Sequence, residues 1–143
     1  MKKGILIAVG LVFAFVIIRM IIIVAVLLAT HDGEMHKQGL IAGHKGDWNR
    51  AITYFDKVIV MKPNDEKAYA SRAFAKTQLG NYQGAIEDCN TALEKYPFDG
   101  RTYAILGLAE FRAGQKKKGC DDMHTAFDFG FEQAKEYLNQ YCN

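Results

Sequence analysis

The sequence predicts an all-α protein in which one N-terminal transmembrane helix precedes an α-solenoid of three helix hairpins and a C-terminal capping helix. Two observations predict this architecture. Residues 4–29 form a long apolar run that contains a single charge, Arg19. Further along the chain, Gly46, Gly80 and Gly114 recur at equal spacing, and helix-like hydrophobic patterns lie on both sides of each glycine.

The two parts of the chain differ in charge. Residues 31–143 carry 15 Lys and Arg against 16 Asp and Glu, which gives a net charge of −1 with histidine neutral. Lys2, Lys3 and Arg19 bring the whole chain to +2. About 110 residues suffice for one small domain with its own core, so we expect a membrane segment at 1–30 and one domain at 31–143. Without a basic excess, this domain is not expected to bind nucleic acid through net charge.

The apolar run has the length of a membrane-spanning helix. Eighteen of the 26 residues in 4–29 are Leu, Ile, Val or Phe, and a span needs about 20 apolar residues. A central arginine costs about 2.5 to 3.5 kcal/mol on insertion, which the apolar residues outweigh. The alternative is a cleaved signal peptide, but the run continues well past Arg19, and Leu27 stands at position −3 of a site after Ala29. We therefore expect a retained signal anchor.

The flanking charges predict the orientation of this anchor. Lys2 and Lys3 precede it, whereas residues 31–45 mix acidic and basic side chains. Arg19 either pairs with an acid on another membrane helix or reaches the interface by snorkelling. The positive-inside rule places the N-terminus in the cytoplasm and the domain outside the inner membrane, in the periplasm of a bacterium.

Several columns of similar residues share the period of the glycines. Small residues recur in two columns and large or apolar residues in others, as expected if helices pair closely and each pair stacks on the next. The glycines between the helical patterns suit a left-handed residue at a helix end. The columns are Gly46, Gly80 and Gly114; Gly39, Ala73 and Gly107; Ala51, Ala85 and Gly119; Met35, Tyr69 and Tyr103; Phe55, Cys89 and Met123; and Val58, Ala92 and Ala126.

The ends of the second helix in each hairpin are marked as well. Asp47 and Asn81 follow the first two glycines, where a side-chain acceptor can cap free amides. Pro63 and Pro97, which are separated by the same period, end the same helices because proline cannot continue a helix. These signals predict where the helices begin and end.

The motifs resemble the tetratricopeptide repeat family. The second helix of that family, with its flanking turns, is similar to GDWNRAITYFDKVIVMKPN and GNYQGAIEDCNTALEKYPF. The third repeat departs from the pattern, with Gly119 where alanine is usual and Phe131 where proline is usual, as terminal repeats often do. The chain is therefore similar to a small membrane-anchored bacterial member of the family. The implied units are repeats at about 32–65, 66–99 and 100–131 and a capping helix at 132–143.

The resemblance also implies a binding surface. In this family the first helices of the repeats line a concave groove, and here an apolar strip flanked by cations would suit an apolar peptide or helix that carries acids at one end. The alternative is that some of these residues belong to the core between repeats. The implied groove residues are His36, Leu40, His44, Lys67, Phe74, Gln78, Arg101, Leu108, Phe111 and Arg112.

One subfamily holds the carboxyl terminus of a peptide with Lys and Asn at set groove positions. The matching positions here are His36 and Leu40 in the first repeat, and Arg101 and Ile105 in the third. The residues of this carboxylate clamp are therefore missing, and its function is not implied.

The three cysteines divide into two groups. Cys89 falls in a core column and is expected to be a buried, unreactive thiol. Cys120 and Cys142 lie at equal distances along the chain on the two sides of Phe131, near the last turn, so they lie side by side in an antiparallel helix pair. We expect a disulfide bond, which suits an oxidising compartment. Two unlinked thiols are the alternative.

The sequence contains no motif for catalysis. No metal-ligand spacing, phosphate-binding glycine loop or nucleophile elbow is present, so we expect no enzyme activity, no cofactor and no small-molecule substrate. The favoured function is a membrane-anchored scaffold that presents a peptide-binding groove to an envelope complex. Two alternatives remain open: a structural membrane subunit that makes its specific contact through the helix with Arg19, and a cleaved, soluble periplasmic adaptor.

Overall fold

The computed structural model describes the backbone of residues 2–142 and the side chains of residues 12–27 and 33–142. The chain divides into two compact units between Glu34 and Met35. The all-α prediction is confirmed, because every regular element in the described part of the chain is an α-helix. The helices are α1 (Lys2–His44), α2 (Trp48–Met61), α3 (Glu66–Gln78), α4 (Tyr82–Lys95), α5 (Gly100–Arg112), α6 (Lys116–Asp128) and α7 (Ala134–Tyr141).

The first unit is the N-terminal part of α1. The large apolar side chains of residues 12–27 are exposed, and so is Arg19. Among the residues that the structure describes, no helix combines the length and the apolar character that crossing a membrane requires. The predicted span at 4–29 includes residues 4–11 and 28–29, whose side chains lie outside the described part of the chain. The anchor therefore stays a prediction.

The second unit consists of three helix hairpins followed by α7. The C-terminal part of α1 pairs with α2, α3 with α4, and α5 with α6; successive hairpins are joined by packing of α2 on α3, α4 on α5 and α6 on α7. This stacking of hairpins is the predicted α-solenoid. The capping helix is shorter than the predicted 132–143, because Gly130 has a φ of +86° and a turn occupies the residues before Ala134.

Glycines and side-chain caps define the hairpins, as the sequence predicts. Gly46, Gly80 and Gly114 have φ values of +77°, +80° and +88°, in the left-handed region that only glycine adopts without strain. Asp47 accepts a hydrogen bond from the amide of Arg50, and Asn81 accepts one from the amide of Gly84, each at 3.1 Å. Both caps satisfy an amide that the first turn of a helix leaves free. The second helices end just before the prolines, at Met61 and Lys95.

Small residues let the paired helices approach closely. A methyl group added to Gly107 would lie 2.6 Å from the carbonyl oxygen of Gly119, and one added to Gly39 would lie 2.5 Å from the nearest ring carbon of Phe55. Larger side chains at these positions would therefore push the hairpins apart. The column of larger residues between hairpins is buried, as predicted: Phe55, Cys89 and Met123.

Charged side chains occupy equivalent places in the second and third hairpins. Lys76 Nζ lies 2.8 Å from Asp88 Oδ2. The equivalent positions, one period further on, hold Glu110 and Asp122. Glu110 is completely buried, contacts the Lys118 ammonium group and lies beside Asp122. Burial, together with the neighbouring carboxyl group of Glu110, raises the pKa of Asp122 to about 7.

Candidate functional site

Two adjacent pockets open on the second unit, and apolar side chains line most of both. The first has a volume of about 120 Å³ and lies among α1, α2, α3 and the start of α5. Glycines on α1 leave room for it, because a larger side chain there would fill the space in front of the α2 rings. Its walls are Gly39, Leu40, Gly43, His44, Trp48, Ala51, Phe55, Ser71, Phe74, Ala75 and Arg101.

The second pocket is larger, with a volume of about 250 Å³, and lies among α3, α5, α6 and α7. Its floor is the buried cluster that joins the last hairpin to the capping helix. Its walls are Phe74, Arg101, Ala104, Ile105, Leu108, Met123, Phe131, Gln133, Ala134 and Tyr137.

Phe74 and Arg101 form the wall that the two pockets share. Phe74 is half-buried, and its ring meets Trp48 edge to face with the ring centroids 5.7 Å apart. Arg101 is exposed at the start of α5. The two pockets are thus neighbouring parts of one groove that runs from α1 across α3 and α5 to α7. We call these two pockets and their shared wall the groove.

Two cations and one acid act on His36 at the end of the groove where α3 and α5 begin. Burial lowers the pKa of His36; Asp65 opposes this effect, and Arg101 and Lys67 add to it through their positive charges. The His36 ring nitrogen Nε2 lies 3.5 Å from Ser71 Oγ, which lines the first pocket. Both cations therefore lie near enough to this pocket to act on a charge inside it.

The structure brings five of the ten implied groove residues to the pockets. Leu40 and His44 line the first, Leu108 lines the second, and Phe74 and Arg101 line both. The remaining five line neither pocket. They are His36, whose ring contacts Phe55 at a tilted angle; Lys67, in the first turn of α3; Phe111, whose ring contacts Tyr137 and Tyr141; the half-buried Gln78; and the exposed Arg112.

Sequence reasoning missed several groove residues, and those on α7 could have been found. Tyr137 lies one full period after Tyr103, so α7 stands where the first helix of a fourth repeat would begin. Extending the period by one step would have assigned Tyr137 to the groove. Trp48 has no such signal, because its position on α2 belongs to the second helix of a repeat, which the resemblance does not place in the groove.

A disulfide bond holds the wall of the second pocket. Cys120 of α6 and Cys142, directly after α7, are bonded with their Cα atoms 5.7 Å apart, as the spacing predicts. Cys142 also packs against the cluster that contains Ala134 and Leu138 of α7. The bond therefore fixes the C-terminal end of a helix that is too short to be stable alone.

The apolar walls of the groove are suited to binding, and Cys89, the free cysteine of the described residues, lines neither pocket. Cys89 is buried, and burial raises the pKa of the Cys89 thiol far above its usual range, so this thiol is unreactive. Within the described residues, no cluster of three or more His, Cys, Asp or Glu side chains could hold a metal ion.

Comparisons with known proteins agree on the kind of protein this chain resembles. No protein-family model matches it. It is 30% identical over 115 residues to the small glutamine-rich tetratricopeptide repeat-containing protein 2 of Mycosarcoma maydis, covering 74% of this chain and 33% of the relative. It is also 30% identical over 120 residues to tetratricopeptide repeat protein 36 of Danio rerio, covering 77% of this chain and 64% of the relative. The chain thus spans about a third of the first relative and less than two thirds of the second.

Solved structures add the three-dimensional match. The first TPR domain of human RPAP3 superimposes with a TM-score of 0.74 at 19% identity, covering 78% of this chain and 89% of that domain. The TPR2B domain of yeast Sti1, solved as a complex with pHsp70, gives a TM-score of 0.67 at 26% identity, covering 76% of this chain and 87% of that domain. These matches support the tetratricopeptide repeat (TPR) family. The second unit is a TPR-like solenoid in which α7 caps the third hairpin. Both relatives are named as TPR proteins, which supports the prediction that this domain is not an enzyme.

Proposed function

We propose that the protein is a non-catalytic scaffold that binds a peptide or protein segment in the TPR groove. The observation that carries this proposal is the pair of adjacent apolar pockets joined by the shared wall of Phe74 and Arg101. Apolar concave sites with a few polar groups are the usual form of a binding site. The Sti1 domain, which was solved with pHsp70, is similar over most of this chain and supports a peptide as the ligand.

Leu40 offers a sharp test, because a matched control stands next to it. Leu40 and Ile41 are exposed to 38% and 36%, but only Leu40 lines the first pocket. We expect Leu40→Asp to weaken binding of peptides selected by phage display on the full-length protein by about tenfold or more, because the carboxylate must be desolvated in an apolar site. Ile41→Asp should bind as the unmodified protein does. Equal binding by all three proteins would show that the groove is not the binding site.

We propose further that residues 4–29 anchor the protein in the inner membrane, with the TPR domain in the periplasm. The length of the apolar run and the exposed apolar side chains of residues 12–27 support an anchor. The bond between Cys120 and Cys142 supports an oxidising compartment. Anchoring would raise the local concentration of the groove near membrane partners, for assembly of an envelope complex. Protein recovered from cells with a mass short by about 29 residues would instead indicate a cleaved signal peptide.

A further inference from the structure

We propose that the groove selects an internal peptide segment in which one acidic side chain lies between two large apolar side chains. This inference rests on the proposed peptide-binding function and adds the chemistry of the partner. It follows from the place of Arg101, a cation in the wall between two apolar pockets.

Each pocket has a size suited to one apolar side chain. A dry protein cavity of about 150 Å³ binds benzene, and the first pocket, at about 120 Å³, is slightly smaller. The second, at about 250 Å³, has room for an aromatic side chain. Rings of Trp48 and Phe55 line the first pocket, and Leu108 and Met123 line the second, so that both favour apolar ligand groups.

Arg101 supplies a positive charge that the domain itself leaves available. Its side chain is exposed, and within the described part of the chain no hydrogen bond or ion pair engages its guanidinium group. Lys67 is a second exposed cation nearby, and both act on His36. Asp65 is the acid that opposes them at His36, and its carboxylate is already engaged as the cap of α3, where it accepts a hydrogen bond from Ala68. A guanidinium group that is free to form two parallel hydrogen bonds favours a carboxylate ligand.

The pockets on both sides of Arg101 indicate an internal segment rather than a chain end. A terminal carboxylate needs several donors around it, but Leu40 and Ile105 place apolar side chains in the groove walls on either side. A side-chain carboxylate needs only the guanidinium group, and the peptide can continue in both directions into the two pockets. The charged residue of the ligand thus lies between its apolar anchors.

The test reverses the charge at position 101 and measures the binding of synthetic peptides. The probes are short peptides, acetylated and amidated, that carry one Leu and one Phe at a series of spacings with Asp, Asn or Lys between them. The full-length protein should bind the best Asp peptide about tenfold more tightly than its Asn counterpart. Arg101→Glu should reverse the order and favour Lys. Lys117→Glu is the matched control, because Lys117 is also the exposed second residue of its helix but lines neither pocket. It should keep the preference for Asp.

The possible outcomes separate this inference from the function on which it rests. If apolar peptides bind but Asp, Asn and Lys are equivalent, peptide binding stands and the role of Arg101 is overturned. If the same peptides bind with a free carboxyl terminus but not when amidated, the internal segment is overturned. If the protein selects no peptide from the array or from a phage library, the proposed function itself fails.

Discussion

Asp122 and Glu110 form a carboxyl pair where the preceding repeat has an ion pair. Lys76 and Asp88 hold these two positions in the second repeat, 2.8 Å apart. Replacing the lysine by Glu110 puts a completely buried acid beside the half-buried Asp122. Apart from the ammonium group of Lys118, no donor in the described residues reaches the Glu110 carboxylate, so a proton on Asp122 is the remaining way to relieve the repulsion.

The pair of Glu110 and Asp122 predicts that the free energy of unfolding falls as the pH rises. The pKa of Asp122 is about 7 in the folded protein and 3.8 without the protein environment. Between these two pH values the folded state keeps a proton on Asp122 that the unfolded state has released. The contribution of this proton to the free energy of unfolding is therefore lost as the pH rises from about 4 through about 7. The unmodified protein should lose about 1 kcal/mol more of its free energy of unfolding between pH 5.5 and pH 8 than Asp122→Asn does, where the figure allows for the partial exposure of Asp122. Thermal unfolding of the full chain at both pH values measures this difference.

The control for this prediction is Asp121→Asn. Asp121 is an exposed neighbour that also acts on Asp122, and Lys118 and Glu110 remain in both variants. This change should leave most of the pH dependence in place. The same dependence in Asp122→Asn as in the unmodified protein would show that the pair does not share a proton.

Some single residues of the groove could be predicted from the sequence and others could not. The common period of the repeats predicts that Leu40, Phe74 and Leu108 lie on one surface, because equivalent positions on first helices point the same way, and each of them lines at least one of the two pockets. Phe111 follows from the same register, but its ring contacts Tyr137 and Tyr141 of α7 instead. Periodicity gives the face of one helix, whereas the neighbours that cover this face depend on tertiary packing.

The helices themselves were predicted more completely than their contacts. The positive φ of Gly80 and the cap of Asn81 depend on local backbone chemistry, which a short sequence motif specifies. The length of α7 was overestimated, since its apolar pattern starts at Phe131, in the turn before the helix. The side chain of Gln133 makes no cap bond, so no local signal marked the true start.

The bond between α6 and α7 makes a prediction at the scale of elements. Intact mass of the full-length protein, taken from cells and denatured with a thiol-blocking reagent, should show one blocked thiol per chain, that of Cys89. Closing a loop of 22 residues with a disulfide contributes about 3 kcal/mol, so Cys142→Ser should lower the midpoint of thermal unfolding by about 10 °C. Three blocked thiols in the unmodified protein would mean that Cys120 and Cys142 are not bonded in the cell.

For the whole molecule, the sequence predicted the class of fold and only part of the site. Repetition at one period specifies a solenoid, because each hairpin can bury its apolar face only against the next one. The division of the groove into two pockets depends on Trp48, on the space left by Gly39 and Gly43, and on α7. These contacts join distant parts of the chain, which no local pattern records.

The most direct test of the proposed groove is photo-crosslinking in intact cells. A photoreactive phenylalanine at Leu40 or at Leu108 would occupy the first or the second pocket. The same group at Val60, which is exposed to 79% and lines neither pocket, is the control. We expect one and the same partner to be crosslinked from Leu40 and Leu108 and not from Val60. Crosslinking of a partner from Val60 alone, with none from the two groove positions, would contradict a binding function of the groove.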